Sequence, residues 1–304
     1  MSGIQLPVVA VGVDGSAESM VAAQWAAQEA SRRHLSLTLV NGFTEPTTGF
    51  RPGYPPAPGL THAMRKLSHD VLETAARQLL ARFPELEMRT ASVHGDPRRA
   101  MVDAAEHAAL TVVGSRGRGR IPEVILGSVA LYVASHVHSP VAVIPPTTDI
   151  SDAPPVGPVL LAVDGSVNCG AAVGFAFDEA AVRDTTLLAV TVWDDLAYRG
   201  FAKGGAQIGP LEDDEQHAVL AEQLAGWVDK YPDVPVRQIV LRGRPAQRLL
   251  GLGQNLPTED RPRLLVVGSR GRGGVAGLLL GSISQHLICG SRIPVVVVRP
   301  EDAA

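Results

Sequence analysis

The chain is written twice, and that repeat constrains its fold more than any other feature. VVAVGVDGS (8–16) is matched by VLLAVDGS (159–166), and WAAQEASRR (25–33) by FAFDEAAVR (175–183). Further on, LTVVGSRGRG (110–119) is matched by LLVVGSRGRG (264–273), LGSVA (126–130) by LGSIS (280–284), and SPVAVIPP (139–146) by IPVVVVRP (293–300). The matches keep their order over nearly all of the 304 residues. Self-similarity at this period means two homologous domains, each built from the same supersecondary units. The seam, TTDISDAPPVGP (147–158), has the proline and aspartate content of an exposed linker. The expected organisation is a first domain over 1–147, a linker over 148–158 and a second domain over 159–304.

Within each copy the periodicity alternates. A continuous apolar run (6–13; 158–163) reads as a buried strand ending at Asp14 or Asp164. An Ala-rich amphipathic helix follows (17–33; 168–183), with Met20, Val21, Trp25 and Ala26 on one face and Gln24, Glu29 and Arg32 largely away from it. Then come a strand (35–40; 185–192), a long loop, a helix (61–82; 211–230), a strand (87–94; 234–241) and a helix from Pro97 or Pro245. Proline suits a first helical turn because its missing N–H has no partner there anyway. A strand (109–113; 263–267), a glycine-rich loop, a helix from Gly127 or Gly281 and a last strand (141–144; 295–298) complete each copy. Such alternation predicts an α/β fold with a parallel sheet and helices on both faces. Ligands then bind beyond the carboxyl ends of the strands, where the strand order reverses.

Composition narrows the function. The chain is 45% hydrophobic and 19% charged, with a net charge of −4 and a pI near 6.1. A mainly nucleic-acid-binding domain carries a basic face, so nucleic acid is not the expected partner. Two cysteines, Cys169 and Cys289, with no CxxC or Cys/His cluster, argue against a disulfide framework or a zinc site. No apolar run approaches the roughly 18 residues of a membrane span, and the N-terminus lacks a basic leader region. No membrane association and a cytoplasmic location are the expectations.

The glycine loops carry the chemistry. Both copies share G-x-x-G-x9-G-S: Gly114, Gly117, Gly127 and Ser128, then Gly268, Gly271, Gly281 and Ser282. The first glycine ends a strand and the last opens a helix, where unbonded N–H groups and the helix dipole suit an anion. Ser128 and Ser282 can donate a hydroxyl, and Arg116 and Arg270 can offset phosphate charge. The competing reading is that the glycines make turns and the serines cap helices. Spacing retained in both copies around a divergent middle favours phosphate binding. No G-x-x-x-x-G-K-[ST] is present, and GRGGVA (271–276) meets the dinucleotide pattern only in the second copy and after the wrong strand. Asp14 and Asp164 each end the first strand within Asp-Gly-Ser. They read either as Asx-turns or, with Ser16 or Ser166 as the cap, as acceptors for a ribose hydroxyl or an adenine amino group.

A terminal Asp on strand one followed by this glycine spacing resembles the nucleotide-binding universal stress proteins. The tandem form is similar to the actinobacterial and mycobacterial members. The resemblance spans essentially the whole chain and implies two Rossmann-like domains with sheet order 3-2-1-4-5. It implies ATP, with or without Mg²⁺, between the Asp turn and the glycine loop. Gly117, Gly127 and Ser128 (Gly271, Gly281 and Ser282) would hold the phosphates, and Asp14 and Asp164 would lie on the nucleoside side. The implied set includes Val129 and Ile283 after the serines, and the residue after strand two, often valine against adenine. That residue falls on Val192 in the second copy and on Gly42, a departure, in the first.

Neither copy holds a Ser-His pairing, a G-x-S-x-G elbow or a metal-spaced histidine set. His136 and His138 have no counterpart in the second copy and read as surface or packing residues, and His94 is replaced there by Arg242. The expectation is a regulatory or signalling nucleotide binder, not an enzyme, acting in stress response or growth control through an unidentified protein partner. The alternatives are a slow adenine-nucleotide hydrolase and a nucleotide-free scaffold or chaperone. The long loops 44–62 and 194–210 read as lids or interaction surfaces. The apolar last strands, as sheet edges, suggest an intramolecular pseudo-dimer of the two domains, with a homodimer of whole chains as a further option.

Overall fold

The computed structural model describes residues 7–45, 59–117, 126–151, 157–193, 211–252, 256–257, 260–271 and 280–300, with only the backbone described at 167 and 211–213. Most of the two long loops and the divergent middles of the glycine loops lie outside the described residues. The chain divides into two compact units, Met1–Ile150 and Ser151–Ala304.

In the first unit the chain runs β1 (Val8–Gly12), α1 (Ala17–Arg32), β2 (Ser36–Phe43), α2 (Leu60–Arg82), β3 (Met88–His94), α3 (Pro97–Ala105), β4 (Ala108–Gly114), α4 (Ser128–His136) and β5 (Val141–Ile144). The strands are parallel in the order β3-β2-β1-β4-β5. The central strands are apolar but for Thr111 because helices cover both faces, and Val9, Ala10, Val11, Leu110 and Val112 are fully buried. Small side chains on α1 (Ala22, Ala23, Ala26, Ala27, Ala30) let that helix lie close to the sheet. Glu29 is not on the outer face as its helical position suggested. It is completely buried and ion-paired to Arg32, which offsets the desolvation a lone carboxylate would suffer there.

The second unit repeats the plan with β6 (Val159–Val163), α5 (Gly170–Val182), β7 (Leu187–Trp193), α6 (Leu211–Lys230), β8 (Val236–Arg242), α7 (Pro245–Gly251), β9 (Leu264–Gly268), α8 (Ser282–Gly290) and β10 (Val295–Val298). Its parallel order is β10-β9-β6-β7-β8. Glu179, the counterpart of Glu29, is equally buried and bonded to Arg183 at 2.7 Å. In both units the chain fills one side of the central strand, then returns to fill the other. The reversal falls between β1 and β4, and between β6 and β9, and there the turns carrying the Asp and the glycine loop open side by side.

Candidate nucleotide site

The Asp turn is built locally. Gly15 has φ +83°, which turns the chain back so that Asp14 Oδ1 accepts the Ser16 N–H at 2.9 Å and the Ser16 Oγ–H at 2.6 Å. Ser16 Oγ in turn accepts the Ser19 N–H at 3.1 Å and caps α1. The Asx-turn and the serine cap were competing readings of the sequence; in the first domain both are present. In the second, Gly165 (φ +72°) makes the same turn and Asp164 Oδ1 accepts the Ser166 N–H at 3.0 Å. Ser166, however, caps nothing, and a 3-10 turn over Val167–Cys169 precedes α5. Cys169 stands at the position matched to Ser19, whose hydroxyl accepts from the Asp14 N–H and donates to the Ser16 carbonyl. A thiol is a poor substitute for either bond.

The glycine loop closes on this turn. A Cβ on Gly117 would lie 2.6 Å from Asp14 Oδ2, and one on Gly271 would lie 2.6 Å from Asp164 Oδ2. These glycines therefore let the loop backbone reach the carboxylate, a contact that no spacing in the sequence announces. Gly127 and Gly281 differ. Their N–H groups are bonded to the carbonyls of Ser115 (2.8 Å) and Ser269 (2.7 Å), so these two N–H groups are themselves engaged within the loop. The N–H groups that the helix leaves unbonded belong to Ser128, Val129 and Ala130, and to Ser282, Ile283 and Ser284. Gly127 and Gly281 are N-caps with ordinary φ (−69° and −71°) and no side-chain cap bond. A Cβ there would come no nearer than 3.5 Å and 3.3 Å to the rest of the chain. Backbone conformation therefore does not call for glycine at either position, and packing does so weakly at most. Ser128, Ser282, Arg116 and Arg270 are exposed beside them. Gly114 and Gly268 end their strands with the next turn folded tightly over them.

Gly42 and Val192 do not follow strand two. Each lies inside it, paired with Val93 and Leu241: β2 runs on to Phe43, three residues past its expected end, and β7 to Trp193, one residue past. Gly42 has its own structural reason: a Cβ would sit 2.6 Å from Pro97 Cα. Its departure from valine thus follows from close packing of α3 on β2. Just upstream, the buried Asn41 donates from Nδ2 to the Val13 carbonyl at 2.6 Å and fixes the strand end next to Asp14. Asn41, Ser115 and Ser269 are supporting residues that sequence reasoning missed.

Beyond β2 and β3 the first domain carries a polar cluster. Glu45 accepts from Thr61 Oγ1 at 2.6 Å and pairs with His94 Nε2 at 3.0 Å. Those hydrogen bonds hold its carboxyl well below the usual range, at about 2. His94 also packs edge-on against Phe43. In the second domain the matched pair is Arg242 over the Trp193 ring, 4.8 Å from its centroid. His136 stacks on Tyr132 at 3.9 Å, as a packing residue would. Among the described residues no group of three or more His, Cys, Asp or Glu is placed to hold a metal ion, and no helix is long and apolar enough to cross a membrane.

Residues 7–145 and 156–299 each match the model of the universal stress protein family. Universal stress protein Rv1996 of Mycobacterium tuberculosis is 34% identical over 314 aligned positions, which cover 97% of this chain and 96% of that one. Universal stress protein Rv2005c of the same organism is 35% identical, covering 96% of each. A solved universal stress protein from Archaeoglobus fulgidus shares the fold, with a TM-score of 0.70 at 19% identity over 97% of both chains.

Proposed function

The chain belongs to the universal stress protein family, and from that premise we propose that each domain is a regulatory module that takes ATP between its Asp turn and its glycine loop. The observation that carries this reading is the pair Gly127 and Gly281. Both are glycine at an uncapped helix start where φ does not demand it, which leaves the backbone open to an anion. The phosphates would be held by the N–H groups of Ser128 and Val129 (Ser282 and Ile283), by the serine hydroxyls and by Arg116 or Arg270. Asp14 and Asp164 would meet the nucleoside, and any Mg²⁺ would arrive on the phosphates. In this reading the bound nucleotide alters a partner interaction and is not turned over.

The test is to denature purified protein, identify released small molecules, and titrate nucleotide-free chain with ATP in a calorimeter. Bound or titratable ATP is expected, lost in Gly127→Val with Gly281→Val while the circular dichroism spectrum is unchanged. No nucleotide and no binding would overturn the reading. Multiple turnovers at an enzyme-like rate, abolished by Asp14→Ala with Asp164→Ala, would replace regulation with hydrolysis.

A further inference from the structure

The serine of the Asp turn is committed in one domain and uncommitted in the other. In the first, the Ser16 hydroxyl is fully engaged: it donates to Asp14 Oδ1 at 2.6 Å and accepts the Ser19 N–H at 3.1 Å. In the second, the matched Ser166 keeps the backbone half of this arrangement, its N–H donating to Asp164 Oδ1 at 3.0 Å. Its Oγ, however, is shielded from water and has no hydrogen-bond partner among the described residues. A hydroxyl withdrawn from water and left unbonded carries a free-energy cost that a bonding partner removes. The residue as a whole is only half-buried, and turning Ser166 about χ1 from one staggered rotamer to another breaks no bond of its hydroxyl. Turning Ser16 breaks two and uncaps α1.

The neighbours of Ser166 limit what can use it. The Asp164 carboxylate stands between the two halves of the crevice. Its Oδ1 takes the Ser166 N–H, and its Oδ2 faces the glycine loop, 2.6 Å from where a Cβ on Gly271 would lie. A ligand group over this carboxylate therefore has Ser166 on one flank and the glycine loop on the other. A carboxylate only accepts, whereas a serine hydroxyl can donate. The group that uses both is itself a donor and an acceptor, as an alcohol is; the amino group of an adenine ring has no lone pair to offer Ser166. Resting on the nucleotide-binding reading above, we propose that Ser166 reads a ribose hydroxyl of the nucleotide in the second domain. Ser166 donates to the oxygen of that hydroxyl while its proton goes to Asp164. The second crevice then favours ribonucleotides over deoxyribonucleotides more strongly than the first, where the matched serine is spent on its own turn and helix.

The test uses the full chain with Gly127→Val, leaving the second crevice, and with Gly281→Val, leaving the first. Each is titrated in a calorimeter with ATP, 2′-deoxy-ATP and 3′-deoxy-ATP. The readout is the affinity for ATP divided by that for the weaker deoxynucleotide. This ratio is expected to be about fivefold or more larger in the second crevice than in the first, the size of one hydrogen bond. Ser166→Ala should bring the second ratio down to the first by weakening ATP and not the deoxynucleotide. In a chain with both glycines intact, the same serine variant should lower the ratio at one of its two sites, which answers the question without any glycine variant. Equal ratios in the two crevices, or a larger ratio that survives Ser166→Ala, would overturn this inference and leave nucleotide binding standing. Failure of the unmodified chain to bind ATP would overturn both.

Discussion

A methyl group added at Gly117 and one added at Gly127 meet different surroundings, and the two substitutions separate fold from function. At Gly117 the carboxylate of Asp14 must turn away, breaking the bonds it accepts from Ser16. Gly117→Ala is therefore expected to lose about 1 to 2 kcal/mol in urea unfolding. Gly127→Ala meets only ordinary contacts, so its unfolding midpoint should hardly move while its calorimetric affinity for ATP falls. Gly42→Val forces a side chain onto the Pro97 backbone, which cannot yield without shifting α3. A loss of about 1 to 3 kcal/mol is expected, as for other overpacked cores. If Gly42→Val leaves stability unchanged, the packing account of that residue is wrong.

The helix starts and strand ends differ between the domains, and those differences are measurable. Ser16→Ala removes a real cap and should destabilise by about 1 kcal/mol, whereas Ser166→Ala, which removes none, should be close to neutral. The Cys169 thiol beside that turn is pushed up to about 11, by burial first and by the charge of Asp164 second. At pH 8 it stays a thiol, so alkylation of Cys169 should proceed at the rate of unfolding, a rate that rises with added urea. In the first domain, Glu45 ties the end of β2 to α2 and β3. Its carboxyl titrates at about 2 when folded against an ordinary 4.5. A depressed folded value stabilises above the unfolded value, and the contribution disappears as pH falls through the window from 4.5 to about 2. The stability difference between the wild-type chain and Glu45→Gln should therefore be full at pH 6 and shrink toward pH 2. A difference that stays constant over that range would show that the cluster does not hold the loop base.

As a whole molecule, the chain is two complete α/β units, each with its own five-stranded parallel sheet and buried core. Segments 1–150 and 151–304 expressed separately are expected to fold, each giving a mixed helix–strand circular dichroism spectrum and a cooperative melt. An unfolded segment would mean that the partner unit completes its core.

The sequence by itself determined the repeat, the alternation of strands and helices, and the positions of Asp14, Asp164 and both glycine loops. These are local signals: periodicity, an Asp-Gly-Ser turn, glycines at strand ends and helix starts. Resemblance supplied the strand order, which local pattern does not encode. Only the tertiary structure decided what each glycine is for, because whether a Cβ fits depends on residues distant in sequence: Asp14 against Gly117, Pro97 against Gly42. The same holds for Glu29, polar in pattern yet buried once Arg32 pairs with it. It holds again for Trp193 and Arg242, which lie 49 positions apart in the chain and meet only because β7 and β8 are neighbours in the sheet. Spacing along the chain records what a residue is next to; folding decides what it faces.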